Sequence, residues 1–489
     1  MTDIPGASAL LPAVVLLPVL GAVVCVCLSR HRQVLPGVIT AALSVLISLA
    51  LAVTVASSGP LEHQMAGWAP PLGIVLRADG MAVAFIALAG VVGLATLLVA
   101  STDERTTGDR NGFWPLSLLC WSGLNAVFLA QDLFNAYVAL EVLSLAAVGL
   151  VALGSGGALR AALRYLVVAV IGSMLLLVAI AVIYAQTGTL DMTLAGQRLD
   201  APTARLALVL AVVGMGLKAA VVPMHAWLPP AHAGAPAAVS PLMSALVVKG
   251  AFYLLLRLWL EVVPADPVIG LALGILGAIS VVWGSLMALT EKHLKRIAAY
   301  STISQMGYLF LAFPLLQSAE PDEQVRAMLA AVITMALAHG LAKAALFLVA
   351  GALMLGTGTD HVDGFVGAAR TQGVLVAGMI MAAVSLIGLP VSLGFTAKWG
   401  YLTTAMDQGV WWIVAVLLLG TLLAAGYLLR PIAALLRSAD IYDESLRVEP
   451  SSRPALQRWV PFSLGAAAIA TGFLGAPMAQ LAVAGVGAG

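Results

Sequence analysis

Residues 213–230 read VGMGLKAAVVPMHAWLPP, an apolar stretch with one lysine inside it and three prolines behind it. A charge at mid-membrane depth costs roughly 3 kcal/mol on insertion scales. Proline removes a rung of the helical hydrogen-bond ladder and clashes with the preceding turn, so Pro223 breaks the helix just beyond Lys218. A broken helix is tolerated at membrane depth where it lines a cavity or is buried in protein. Residues 388–402, GLPVSLGFTAKWGYL, repeat the device, with Pro390 and Gly394 shortly before Lys398. The pattern is that of a helical membrane protein whose working groups sit at interrupted spans.

Composition agrees. Of 489 residues 61% are hydrophobic and only 10% charged, against about a quarter charged in a soluble domain. Mean hydropathy is +1.03. Crossing a bilayer as helix takes about 20 apolar residues. Fourteen stretches fit that ruler: 8–28, 35–56, 78–99, 113–130, 133–153, 162–186, 204–228, 237–260, 267–290, 295–316, 326–355, 373–404, 410–436 and 459–484. Such runs are too long for barrel strands, so the fold class is an all-α polytopic membrane protein. The longest polar connection, 437–458, leaves no room for an inserted soluble domain. The opening MTDIPGAS lacks a basic region, so the first apolar stretch reads as a retained span. Cys25, Cys27 and Cys120 lack metal-ligand spacing and read as small buried hydrophobes. A net charge of +1 gives no sign of a nucleic-acid partner.

Loop charges set orientation. With the first loop (Arg30, Arg32) taken as cytoplasmic, that side also receives Arg105, Arg110, Arg160, Arg164, Lys292, Lys295, Arg296, Arg370, Arg437, Arg447, Arg453 and Arg458. The other side holds Arg77, Arg198, Arg205 and Arg326, with the acidic loops EVVPADP and SAEPDEQ. Fourteen against four places both termini outside, in a cell (plasma) membrane.

Six basic residues remain inside spans. Arg257 and Arg430 lie near helix ends, where they can snorkel to water. Lys218, Lys249, Lys343 and Lys398 lie deeper. Arginine does not lose its proton in a protein, whereas a lysine taken out of water does so readily, so buried lysines are potential proton carriers. Glu141, with no charged residue within eight positions, is the natural partner of Lys218. Their pair is either a static bridge fixing helix packing or a gate on the lysine's proton. His339 and Lys343 are four apart on one helical face and suit a relay. His225, beside Pro223, is a candidate proton entry or a helix cap; His63, His232, His293 and His361 read as solvated loop residues. Ser144, Ser244, Ser301, Ser304 and Tyr308 either hold water along a path or make ordinary helix–helix hydrogen bonds.

Five spans separate the two interrupted helices. That spacing suggests two five-helix repeats, and an odd number inverts the second relative to the first. The expected division is a three-helix segment over 1–110, repeats over 111–260 and 261–436, and a cytoplasmic loop with a last helix over 437–489.

The stretches KAAVVPMHAWLPPAHAGAPAAVSPLMSALVVKGAFY, EKHLKRIAAYSTISQMGYLF, HGLAKAALFLVAG, GLPVSLGFTAKW and DLFNAYVALEVLSLAAVGLVAL resemble the proton-translocating, antiporter-like membrane subunits of respiratory complex I, membrane-bound hydrogenases and Mrp cation/proton antiporters. The match spans about residues 110–430 and is collinear. The resemblance implies that Glu141 is the family's fifth-helix glutamate, Lys218 the lysine of the broken seventh helix and Lys249 the central lysine of the eighth. His339 and Lys343 match the eleventh-helix pattern, and Lys398 the terminal lysine of the broken twelfth. One complex I subunit has glutamate at that last place, which argues against that subunit. Size and motif wording are most similar to the D component of the Mrp antiporters. The resemblance thus implies a subunit moving protons against sodium or another monovalent cation, among other membrane subunits. The alternatives are a proton-pumping subunit of an NADH–quinone or hydrogenase complex, or a membrane subunit of inorganic-carbon uptake. The chain shows no cysteine cluster, nucleotide loop or flavin motif of its own, so no cofactor is expected and any redox chemistry belongs to partners.

Overall fold

The computed structural model describes residues 6–102, 112–263, 266–317, 323–437 and 454–486. Arg105, Arg110, Arg447, Arg453, most of SAEPDEQ and most of the polar connection 437–458 lie outside the described residues. In chain order come α1 (Leu10–Val26), α2 (Val34–Ser58), β1 (Leu61–Gln64), β2 (Val75–Ala78), α3 (Gly80–Ala100), α4 (Phe113–Leu129), α5 (Leu133–Ala152) and α6 (Ala158–Thr187). Then follow α7 (Met192–Arg198), α8 (Ala201–Ala219), α9 (Leu228–Gly234), α10 (Val239–Leu242), α11 (Val248–Arg257), α12 (Pro267–Thr290), α13 (Leu294–Phe310) and α14 (Ala312–Gln317). The remainder are α15 (Glu323–Thr357), α16 (Ala368–Thr371), α17 (Gly373–Ile387), α18 (Leu393–Asp407), α19 (Trp411–Leu436), α20 (Ala455–Ala470) and α21 (Gly475–Ala482).

Ten helical stretches among the described residues are long and apolar enough to cross a membrane singly. They include Val239–Val262, in which wider π turns at Met243–Val247 and Leu258–Val262 bracket α11. The expected stretches 113–130, 295–316, 373–404 and 459–484 are also helical, but as the shorter α4 or as the pairs α13–α14, α17–α18 and α20–α21. The apolar windows of Val239–Val262 and α15 are wholly buried, whereas those of α1, α2 and α19 are one-third buried. These two helices form the protein's axis. The peripheral ones turn Leu20, Leu35, Leu46 and Leu422 outward, as a lipid-facing surface requires.

One departure from an all-helical chain is the antiparallel hairpin of β1 and β2. Leu76 bridges onward to Ala130, and Asp132 to Asp191, so backbone pairing continues across one end of the bundle. Aspartates cap five of the helices that start at this end. Asp79, Asp132, Asp191 and Asp200 accept from the amides of Ala82, Asn135, Leu194 and Thr203, and Asp266 from those of Val268 and Ile269. Each satisfies an orphan N–H and sets a negative charge against the positive end of the helix dipole.

A second backbone device occurs twice. After α6, Thr187 Oγ1 reaches the carbonyls of Ile183 and Thr189, and Thr189 Oγ1 accepts from Asp191 N. After α15, Thr357 Oγ1 reaches those of Leu353 and Thr359, and Thr359 Oγ1 accepts from His361 N. Gly188 (φ 66°) and Gly358 (φ 71°) supply the left-handed residue in each turn. Each turn then bridges the start of another helix, Asp132 to Asp191 and His293 to His361.

Candidate functional site: a file of buried amines

Helix α8 stops one residue after Lys218, with Ala220 in the left-handed region (φ 57°) closing the turn. The gap to α9 is pinned from both sides. Val222 N donates to Ser280 Oγ at 2.9 Å, and Trp227 Nε1 to Leu217 O at 2.8 Å. The Trp227 ring stacks on Tyr165, centroids 4.1 Å apart. Pro223 lies in this gap and His225 is half-buried there, its Nδ1 without a partner. Lys218 Nζ donates to Ser144 Oγ at 2.7 Å and to Glu141 Oε1 at 3.3 Å. Ser173 donates to the same glutamate oxygen. Lys218 is 5% exposed and Glu141 23%, so the carboxylate is the less enclosed partner. Removing one member of a buried pair costs about 3–5 kcal/mol, because the other is left uncompensated.

Deeper in the axis, Lys249 follows the first π turn and donates to Ala245 O at 2.7 Å. His339, on α15, is within electrostatic reach of both Lys249 and Lys343, and neither of its ring nitrogens has a partner. Lys343 donates to Ala298 O and, at 2.7 Å, to Ser301 Oγ. Lys249, His339 and Lys343 therefore stand together on two facing helices, all buried.

Lys398 belongs to the second break. Helix α17 ends at Ile387, and Ser392 caps α18 by accepting from Phe395 N. Lys398 Nζ turns back to Ile387 O at 2.9 Å and Thr421 Oγ1 at 3.0 Å, and lies 4.5 Å from the Tyr308 ring centroid. Pro390 is in the gap, whereas Gly394 lies inside the first turn of α18. A Cβ on Gly394 would stand 1.9 Å from Ser385 O, so this glycine lets the half-helices touch.

Four expectations need correction. His232 is not a solvated loop residue; it is 0% exposed on α9, stacked 4.6 Å from the Phe347 ring, with both nitrogens unpartnered. Lys343 and Lys295 both lie within its electrostatic reach. Lys295 is itself buried and donates to Ala235 O at 2.7 Å, so it is no loop cation. Arg257 does not snorkel: at 3% exposure it forks onto Asp79 at 2.6 and 2.7 Å and reaches Glu261 at 2.5 Å. Of the cysteines, Cys27 is exposed. A signal for His232 does exist in the sequence, since the chain from Ala219 to Val248 contains no Asp, Glu, Lys or Arg. A connection without charge belongs in protein.

Arg430 does reach a helix end, donating to Leu289 O and Glu291 O. Part-exposed His293 and His361 meet beside them, rings 5.5 Å apart. Burial works against the Glu291 charge, but hydrogen bonds with His293 and Lys292 N and the nearby Arg296 outweigh it and hold the carboxyl below its usual range.

Residues 130–424 match the family described as NADH:quinone oxidoreductase/Mrp antiporter, TM. The chain is 37% identical over 406 residues to NADH-quinone oxidoreductase subunit N of Desulforudis audaxviator, covering 81% of this chain and 79% of that protein. It is 32% identical over 379 residues to the D component of the Na(+)/H(+) antiporter of Alkalihalophilus pseudofirmus, covering 76% and 75% respectively. Its fold is similar to a chain of the Mrp complex from a Dietzia species, with a TM-score of 0.87 at 24% identity, over 98% of this chain and 96% of that one.

Proposed function

The chain belongs to the NADH:quinone oxidoreductase/Mrp antiporter membrane family, and from that premise we propose that it is the proton-translocating subunit of a multi-subunit monovalent cation/proton antiporter, with sodium as counter-ion. The observation carrying this reading is the file of buried groups: the Glu141–Lys218 pair, then Lys249, His339 and Lys343, then Lys398 at the second break. Protons enter from the cytoplasmic side near His225, pass along the file through water, and leave outward by Lys398. Breaking the Glu141–Lys218 contact removes the counter-charge from the lysine and frees its proton, which makes the pair a gate. The chain itself performs no bond chemistry.

The two threonine–glycine–threonine turns, one after α6 and one after α15, support inverted repeats over 111–260 and 261–436. They are flanked by the 1–110 segment and the 437–489 end. The aspartate-capped end is assigned to the outside of a plasma membrane and the Lys292 end to the cytoplasm, with both termini outside.

In vesicles holding the assembled complex, Glu141→Ala and Lys218→Arg are both expected to abolish coupled proton transport. The arginine keeps the charge but cannot release a proton. Native transport by an assembled Lys218→Arg complex would leave only a packing role for the pair. The relative at 37% identity supports a second reading, a subunit of a redox-driven proton pump such as an NADH–quinone or hydrogenase complex. Co-purification with iron–sulfur subunits, and proton uptake started by a reductant with no cation gradient, decides for it.

A further inference from the structure

On α11 and the π turn after it, Lys249, Tyr253, Arg257 and Glu261 recur every four residues. The stripe runs from the buried amine toward the aspartate-capped end. At first sight it is a second way out for the proton. Its chemistry says otherwise.

One turn beyond Lys249, the rings of Phe85, Phe128 and Tyr253 meet with centroids 4.9–5.3 Å apart, all three fully buried. They come from α3, α4 and α11, so the layer fills the junction of three helices and displaces the water file a proton would need. The Tyr253 hydroxyl is fully committed. It donates to Phe128 O at 2.6 Å and accepts from Arg257 Nε and Nη2 at 2.9 and 2.8 Å.

Behind the rings stands the Arg257 guanidinium, whose five N–H donors meet five acceptor contacts. Two go to Asp79, two to Tyr253 and one to Glu261. Glu261 is held in turn by Gln131, which also holds Thr193. A guanidinium does not give up its proton, and with all five donors bound to Asp79, Glu261 and Tyr253 this one is a fixed, non-titrating plug that can neither pass a proton on nor swing aside to admit water.

We propose that the Phe85–Phe128–Tyr253 layer and the Asp79–Arg257–Glu261 cluster form the outer seal of the first half of the chain, confining the Lys249 proton so that it moves sideways to His339 and Lys343. Arg257 is a positioning residue that acts on Lys249 without touching it. The inference rests on the proton-transfer reading above and deepens it by assigning the element that prevents leak.

The test is passive proton uptake after a pH jump, with no counter-ion gradient, in vesicles holding the assembled complex. The seal is opened in two ways, by Phe85→Ala and by Arg257→Gln combined with Asp79→Asn, the latter removing both charges together. Either variant is expected to raise passive conductance at least roughly tenfold, and adding Lys249→Ala is expected to return it to the native level. A cluster that only ties helices together would not produce a leak that depends on Lys249. Assembled variants as tight as native, a leak that survives Lys249→Ala, or failure of both variants to assemble overturns the proposal. Coupled transport measured alongside separates this from the parent reading, which fails on its own if Glu141→Ala and Lys218→Arg leave that transport intact.

Discussion

Apart from His339, every deep basic position proposed for the proton file is lysine, and each amine is matched to oxygens it can leave and rejoin. Lys218 has Ser144 and Glu141, Lys343 has Ser301, and Lys398 has Thr421 and the Ile387 carbonyl. His232 is a candidate for this company, because its two unpartnered nitrogens lie within electrostatic reach of both Lys343 and Lys295. His232→Phe keeps a flat ring against Phe347 while removing both nitrogens and adding one ring atom to a fully buried site. It is expected to cost about 1–3 kcal/mol of stability, as overpacking does, and to lower proton transport roughly a hundredfold, the lower end of what a positioned proton-transfer group contributes. Thermal unfolding in detergent and flux in vesicles measure the two effects, and unchanged flux would reduce His232 to a space-filling ring. The lysines and Glu141 are legible in the sequence because a charge inside an apolar run has no bland surroundings to hide in. The burial of His232 is legible only through the uncharged run from Ala219 to Val248, and that of Arg257 not at all, because a helix-end position looks the same whether protein or water surrounds it.

At the scale of elements, the breaks do the placing. Gly388 ends α17 at φ 82°, and a Cβ there would stand 2.8 Å from Lys398 Cδ. Gly388→Ala is therefore expected to cost about 1–2 kcal/mol for the left-handed backbone alone and to push the lysine tail off Thr421. Reduced thermal stability together with slower transport is the expected result; native behaviour in both would mean the gap relaxes around the methyl. Prolines announce both breaks in the sequence, since their effect on a helix is local. Gly394 reads from sequence as part of a gap that in fact ends before it, because close approach between half-helices depends on a neighbour 9 residues earlier, Ser385, whose position only the fold reveals. The two π turns have no sequence signature of comparable strength.

For the whole molecule, charge and burial order the bundle in two directions. Along its length, aspartate caps gather at one end and the Lys292–Arg296 turn at the other; across it, Val239–Val262 and α15 are fully enclosed while α1, α2 and α19 face outward. The proposed orientation has a direct check. In a Cys27→Ala background, a cysteine at Glu62 should react with an impermeant thiol reagent from outside the cell and one at Lys292 only after the membrane is opened; the reverse pattern turns the molecule over. Hydropathy makes the helical architecture legible, because the bilayer enforces it segment by segment. The proposed repeat is barely visible in the sequence, since its support is a turn of hydroxyl-to-backbone bonds found twice and little side-chain identity.

The carbonyl of Ala245 that receives Lys249 has one consequence of its own. A resting place made of main chain is spelled by no codon. Substitution at neighbouring positions can alter how often the amine departs, but the berth itself passes unchanged to every descendant that keeps the widened turn.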